Sequence, residues 1–126
     1  MADNDEPIRT WGGRLYLKEP AKIDEWTGAV LRTFEYKLLN VLIQGSAADC
    51  TKEAMIRLQD AIDKHPEYEM KILIQVHDEL VAEINTNYAT QGLALMRTEM
   101  DGVEFEVPMA SDGFKGRNFA LMKEVG

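Results

Sequence analysis

Cysteine is nearly absent from this sequence. Cys50 is the only one in 126 residues, which excludes an internal disulfide and any zinc cluster built on cysteines, and suits a reducing cytoplasm. Long apolar runs are missing too: no stretch approaches the length needed to span a bilayer. The opening Met1-Ala2-Asp3-Asn4-Asp5-Glu6 has neither the basic start nor the apolar centre of a signal peptide, so neither a membrane nor an export role is expected. Positive charge is scarce. Fourteen Lys and Arg face 22 Asp and Glu, a net charge of −8, whereas a chain that grips nucleic acid unaided usually carries a basic patch, because phosphate neutralisation supplies most of the nonspecific affinity. The deficit is uneven. Residues 1–40 hold six basic and seven acidic groups, 41–84 four and nine, and 85–126 four and six, so the middle third is the most acidic.

What is present suits a soluble globular chain: 45% hydrophobic and 29% charged residues. At this length the chain is one domain at most; residues 1–7 read as a disordered leader and 8–126 as a single domain. The chain is organised around Lys71 to Ile84. Two β-favouring runs, Ile72-Leu73-Ile74-Gln75-Val76 and Leu80-Val81-Ala82-Glu83-Ile84, flank the polar trio His77-Asp78-Glu79, and a gap that short reads as a tight hairpin with its acids at the tip and its strands buried. Such a tip can hold a carboxylate toward a metal ion or a phosphate. On these three residues alone a merely solvated turn explains the pattern equally well, since Asp is a common turn residue.

Before the hairpin, Ile8 to Leu17 alternates around Gly12-Gly13 and reads as a second hairpin, whose Arg9 and Arg14 either meet phosphate or are solvated. Residues 21–33, behind Pro20, read as a connection with some helical turns. From Thr33, Phe34, Leu38, Leu39, Leu42 and Ile43 take helical spacing until Gln44-Gly45-Ser46 interrupts it. Ser46, followed by Asp49, reads as the N-cap of a second helix that runs to about Lys64 with Ala47, Thr51, Ala54, Met55, Leu58 and Ile62 on one face and ends before Pro66. After it, Asn85-Thr86-Asn87 reads as a turn and Tyr88 to Met100 as a helix closed by Asp101-Gly102. Glu104 to Ala110 alternates like an edge strand, and Asn118 to Met122 reads as a short apolar element that docks the C-terminus.

Two motifs in order carry a resemblance. Gln75-Val76-His77-Asp78-Glu79-Leu80 resembles the third motif of the family A DNA polymerases, the bacterial DNA polymerase I group and its phage relatives. Asn40-Val41-Leu42-Ile43-Gln44-Gly45-Ser46-Ala47-Ala48-Asp49 is similar to that family's Asn-x-x-x-Gln-Gly-Ser/Thr-Ala-Ala-Asp segment, at a family-like distance upstream. Trp11-Gly12-Gly13-Arg14-Leu15-Tyr16 looks like the preceding hairpin, and Gly116-Arg117-Asn118-Phe119 like the terminal Gly-x-Asn-Trp, with Phe in place of Trp. The match covers about Ile8 to Phe119 and is closest to phage members.

The resemblance implies an α+β fold, a partial polymerase palm in which an antiparallel hairpin and one further strand are packed by helices, with a short N-terminal hairpin from the fingers. It implies that Asp78 ligates catalytic Mg²⁺ with support from Glu79, that His77 contacts the primer end, and that Asn40, Gln44 and Gln75 belong to the DNA-contacting set. Hard cations of this kind want carboxylate oxygens. Uncharged amides in the minor groove can check pair geometry without reading sequence, because the acceptors there are nearly the same for every correct pair. For Asn40 and Gln44 taken alone, a helix-end cap is the readier reading.

The family's first motif, with the other metal-binding aspartate, has no counterpart among these 126 residues, and neither has the helix that grips the incoming triphosphate; Asp3, Asp5, Asp24 and Asp112 are not in its context. Where some members carry an arginine ahead of Asn40, Tyr36 and Lys37 stand here. The expectation is therefore half of a DNA-directed DNA polymerase site in a split enzyme of the bacterial or phage-infected cytoplasm. Its partners would be primer-template DNA, dNTP and an N-terminal polymerase chain carrying the other aspartate, with no membrane. A noncatalytic palm-like remnant or binding module is the alternative. With a charge of −8 and scattered cations, the chain by itself is expected to bind duplex DNA weakly; submicromolar binding in an anisotropy titration at physiological salt would contradict this.

Overall fold

The computed structural model describes residues 7–17, 22–23, 25–28, 30–31 and 35–125. The expected leader over 1–7 thus lies outside them except for Pro7, as do Asp3, Asp5, Asp24 and Phe34. The chain forms two compact units, residues 1–49 and 50–126. Among the described residues every sheet is a two-stranded antiparallel pair, and no helix is long and apolar enough to cross a membrane. With two α-helices and these small strand pairs, the fold is α+β, as a partial palm requires.

In the first unit β1 (Ile8–Arg9) pairs with β2 (Leu15–Tyr16), with Ile8 opposite Tyr16. The expected N-terminal hairpin is present, and Gly13, at φ 87°, supplies the left-handed residue its turn requires. The expected helical connection is not. β3 (Lys22–Ile23) and β4 (Val30–Leu31) pair instead, joined through a turn at Glu25–Thr27 and Gly28, whose φ of 67° suits a hairpin rather than a helix.

Helix α1 (Glu35–Asp63) begins in this unit and corrects the largest of the sequence expectations. It runs without a break through Gln44-Gly45-Ser46, so Ser46 is not an N-cap, and Asn40 and Gln44 are interior helix residues rather than end caps. The glycine has a tertiary reason to be there. A Cβ on Gly45 would sit 2.8 Å from Thr10 Cγ2, so only glycine lets β1 lie this close, at the usual helix cost of about 1 kcal/mol. Ser46 Oγ accepts from the Trp11 amide (3.0 Å). Asp49 does more: Thr10 Oγ1 donates to its Oδ2, the Gly12 amide donates to the same oxygen (3.0 Å), and Arg14 Nε meets Oδ1 at 2.5 Å. Arg14 NH2 also reaches the Gly45 carbonyl at 3.1 Å, which uses the guanidinium within the protein.

The second unit is built on the rest of α1. Its buried positions Cys50, Ala54, Leu58 and Ile62 recur every fourth residue, the stripe a helix needs against a sheet. Leu58, Ile62 and Met70 form one core with Ile72, Leu80, Ala82, Ile84, Leu95 and Met96, and Cys50, Ala54 and Val103 form another with Leu80, Met100, Phe105 and Met109. Leu80 belongs to both. Helix α2 (Ala89–Asp101) follows a 3₁₀ turn over Thr86–Tyr88, close to expectation. Arg57 ties its end down, donating to Glu99 (3.3 Å) and to the Gly102 carbonyl (2.7 Å), where a cation also complements the helix dipole.

The strand expected over Glu104–Ala110 is not formed: these residues join no ladder. Their alternation is satisfied by packing instead, with Val103 buried and Phe105 and Met109 against the core while Glu104, Glu106 and Val107 face out, and Pro108 has no N–H to offer a ladder. The further strands are β7 (Gly113–Lys115) and β8 (Lys123–Val125), paired with each other. Between them Asn118 caps a 3₁₀ turn by accepting from Leu121 N (3.1 Å), and Phe119 and Leu121 are exposed rather than docked.

Asp49 yields the first structural prediction. Burial by itself would raise its pKa, but the Thr10 hydroxyl, the Gly12 amide and the Arg14 guanidinium outweigh it and hold the carboxyl below the usual range. A lowered native pKa stabilises fully above the unfolded value, near pH 4, and that contribution is lost as pH falls through the native one. Asp49→Asn should loosen the β1–β2 turn by about 1.5–3 kcal/mol at neutral pH and remove this acid dependence. Hydrogen exchange at the Gly12 and Arg14 amides, followed against pH, measures both effects.

Candidate active-site hairpin

β5 (Lys71–Val76) and β6 (Glu79–Glu83) are antiparallel, with Val76 opposite Glu79, Gln75 opposite Leu80 and Ile74 opposite Val81. Only His77 and Asp78 are left for the turn. Glu79, expected at the tip, is the first residue of β6. In a two-residue turn at least one residue must take positive φ to match the strand twist. His77 takes it, at φ 54°, and among the described non-glycine residues only Glu69 shares that sign. Positive φ followed by negative φ is the sign pattern of a type II′ turn, where glycine is the usual first residue. Histidine in that place stores about 1–2 kcal/mol of backbone strain. The Gln75 side chain meets this residue: its Nε2 donates to the His77 carbonyl at 2.7 Å. A carbonyl only accepts, so the Gln75 amide has to present its nitrogen.

Further down, the ladder shifts register. Ile72 faces Ala82 and Ile74 faces Val81, so Leu73 has no partner and forms a bulge. A bulge bends its strand and sharpens the twist, re-aiming whatever lies beyond it. The expectation of two buried strands holds for β6, whose Leu80, Val81 and Ala82 are half-buried, and not for β5. There Leu73 (54% exposed), Ile74 (46%) and Val76 (48%) stand in solvent. Among the described residues β5 is hydrogen-bonded only to β6.

At the tip Gln75, Val76, His77, Asp78 and Glu79 are all exposed, and no hydrogen bond or ion pair engages the Asp78 or Glu79 carboxylates among the described residues. Asn40 and Gln44 are four residues apart on α1, hence on one face of it, and both are exposed. They belong to the first unit and the tip to the second. The donors at the tip suit a hard divalent cation, being charged oxygens open to solvent. They are a partial set: among the described residues no three His, Cys, Asp or Glu gather into a metal-holding group. Sequence reasoning missed the inward use of Gln75 and the role of Asp49. The first had a signal in the missing glycine of a two-residue turn, and the second had none short of the tertiary fold.

Comparison with known proteins places this geometry. Residues 2–121 match DNA polymerase family A. The chain is 32% identical over 110 residues to DNA polymerase I of Pseudomonas aeruginosa, covering 86% of this chain and 12% of that protein. It is 37% identical over 109 residues to DNA polymerase I of Mycobacterium tuberculosis, with the same two shares, and 35% identical over 115 residues to the thermostable DNA polymerase I of Thermus thermophilus, covering 90% of this chain and 13% of that one. Among solved structures it is similar to the polymerase domain of Pol1 from M. smegmatis in complex with DNA primer-template and dNTP, with a TM-score of 0.64 and 34% identity over 82% of this chain and 18% of that one. The chain belongs to the family A DNA polymerases and corresponds to a fragment of their polymerase domain. It spans about an eighth of the length of the curated relatives it matches.

The turn makes a prediction of its own. His77→Gly relieves the strain and should leave the chain as stable or raise its stability by up to about 1 kcal/mol, whereas His77→Val, β-branched and ill-suited to positive φ, should lower it by about 1–2 kcal/mol. Urea denaturation of the three proteins decides; equal midpoints would mean the turn is not left-handed at residue 77.

Proposed function

We propose that this chain supplies one side of a DNA-directed DNA polymerase active site, for template-directed nucleotidyl transfer in DNA replication, within a split enzyme whose N-terminal chain brings the other metal-binding aspartate. The observation that carries the reading is Asp78, the second residue of a two-residue turn, exposed and unengaged by its surroundings. It falls where the family resemblance puts a metal ligand. A carboxylate left open at the end of a ladder is available to a cation, since charge left unpaired in a folded site does nothing for stability.

Asp78 and Glu79 are the residues that would hold Mg²⁺ here. When bound, the metal supplies charge neutralisation at the primer 3′ oxygen and the leaving pyrophosphate. Asp78 would offer an oxygen from the turn and Glu79 one from the first position of β6. His77, beside them and exposed, is placed to meet the primer end. Asn40 and Gln44 present two neutral amides one helical turn apart, which suits hydrogen bonding to minor-groove acceptors. The remaining ligands, the triphosphate grip and the positive field come from the N-terminal chain, because an acidic fragment with two carboxylates at its tip neither completes a site nor holds DNA. The exposed Leu73, Ile74 and Val76 of β5 are suited to being covered by that remainder.

Mixing the chain with an N-terminal chain carrying the rest of the polymerase domain should give Mg²⁺-dependent primer extension that neither shows alone. Asp78→Ala should lower it by several kcal/mol of transition-state stabilisation, about a thousandfold in rate, and Glu79→Ala by much less. Asn40→Ala and Gln44→Ala should reduce fidelity or extension efficiency while leaving the metal requirement unchanged. Extension by the isolated chain, or full activity of an Asp78→Ala mixture, would sink the proposal.

A further inference from the structure

Gln75 sits one residue before the end of β5, opposite Leu80, and is exposed. Its amide could point outward to a ligand. It turns instead along its own strand and donates to the carbonyl of His77 at 2.7 Å, the residue held at φ 54°. Two constraints bear on that conformation: the two-residue connection closed by Val76 and Glu79, which asks for a positive φ, and this bond. The side chains from Val76 to Glu79 are exposed, and among the described residues the bond from Gln75 is the side-chain hydrogen bond that reaches the tip. A left-handed histidine and a charge-neutral hydrogen bond are of similar energetic weight. The bond is therefore large enough to decide whether the turn stays in one conformation or samples several. Asp78 is the next residue, and the peptide plane whose oxygen Gln75 holds fixes the N–Cα bond about which its side chain is then oriented.

We propose that Gln75 is a positioning residue, whose amide fixes the left-handed His77 turn and thereby aims the Asp78 carboxylate, and that it does not act as a DNA contact. The consequence for metal binding rests on the role proposed above for Asp78; the hold on the turn does not. Gln75→Met keeps the length and the aliphatic stem and removes the amide, and with it the donor. In the isotopically labelled full chain, the His77 HN–Hα coupling and Cα shift should move from a single left-handed value toward a conformational average, while the signals of Leu58 and the core stay in place. Mn²⁺ titration should need about three- to tenfold more metal to broaden the Asp78 amide in Gln75→Met than in the parent. In the mixed enzyme the same variant should raise the Mg²⁺ requirement by a similar factor and leave the KM for primer-template unchanged.

His77 signals that coincide in the two proteins would overturn the proposal. So would a severalfold rise in KM for primer-template with the Mg²⁺ requirement unmoved, the signature of a direct DNA contact. Mixed chains that never extend a primer, or a parent chain whose Asp78 amide ignores Mn²⁺, would count against the polymerase role of Asp78 instead, and the His77 coupling would still decide whether Gln75 holds the turn.

Discussion

A carboxylate withdrawn from water has to be answered by donors, and in the first unit of this protein one such carboxylate, that of Asp49, dictates the rest. It collects a hydroxyl, a main-chain amide and a guanidinium from a single five-residue turn. Ser46, three residues earlier and on the same helical face, takes the amide between them. Both acceptors face one turn from the same side of α1, which runs on unbroken through Gly45, whose missing side chain leaves room for Thr10. The usual cost of a helical glycine is accepted because the alternative is a charged group buried without partners, which costs more.

Asp78 is the same residue type handled in the opposite way. Asp49 is surrounded by donors and depressed in pKa, and Asp78 stands exposed on a strained turn with none. One arrangement uses charge to fasten a hairpin to a helix; the other keeps charge available. Asp49 is a carboxylate that the fold itself satisfies; Asp78, left open to solvent, is the one proposed above as a metal ligand.

The hairpin was legible in the sequence because its cause is local. Two runs of β-favouring residues around a short polar gap leave few alternatives, and the motif fixed the family. The error was one residue, since Glu79 pairs with Val76 and leaves a turn of two rather than three. The misread elements had tertiary causes. A glycine that breaks helices on average is retained in α1 by what lies against it. Alternation over Glu104–Ala110 is the same whether its apolar residues enter a ladder or merely pack, and here Phe105 and Met109 pack. Strands β7 and β8 are three residues each, with Lys115 opposite Lys123, too short for any periodicity to register. Asn40, Gln44, His77, Asp78 and Glu79 were picked out as candidates through the motifs; the bond from Gln75 to the turn was not, because its one signal, the lack of a glycine, shows only once the turn is two residues rather than three.

The bulge at Leu73 separates two properties that are usually specified together. The ladder would close without this residue, as Ile72 and Ile74 already face adjacent partners on β6, so its presence adds nothing to strand pairing. It adds direction. A lineage losing this single codon would keep the hairpin, its turn and every motif residue, and an alignment would score the loss as one gap. The tip would nevertheless leave the sheet at a different angle. In this protein the spacing between the anchored base of β5 and its terminal acid is itself inherited information, carried by the number of residues rather than by their identities.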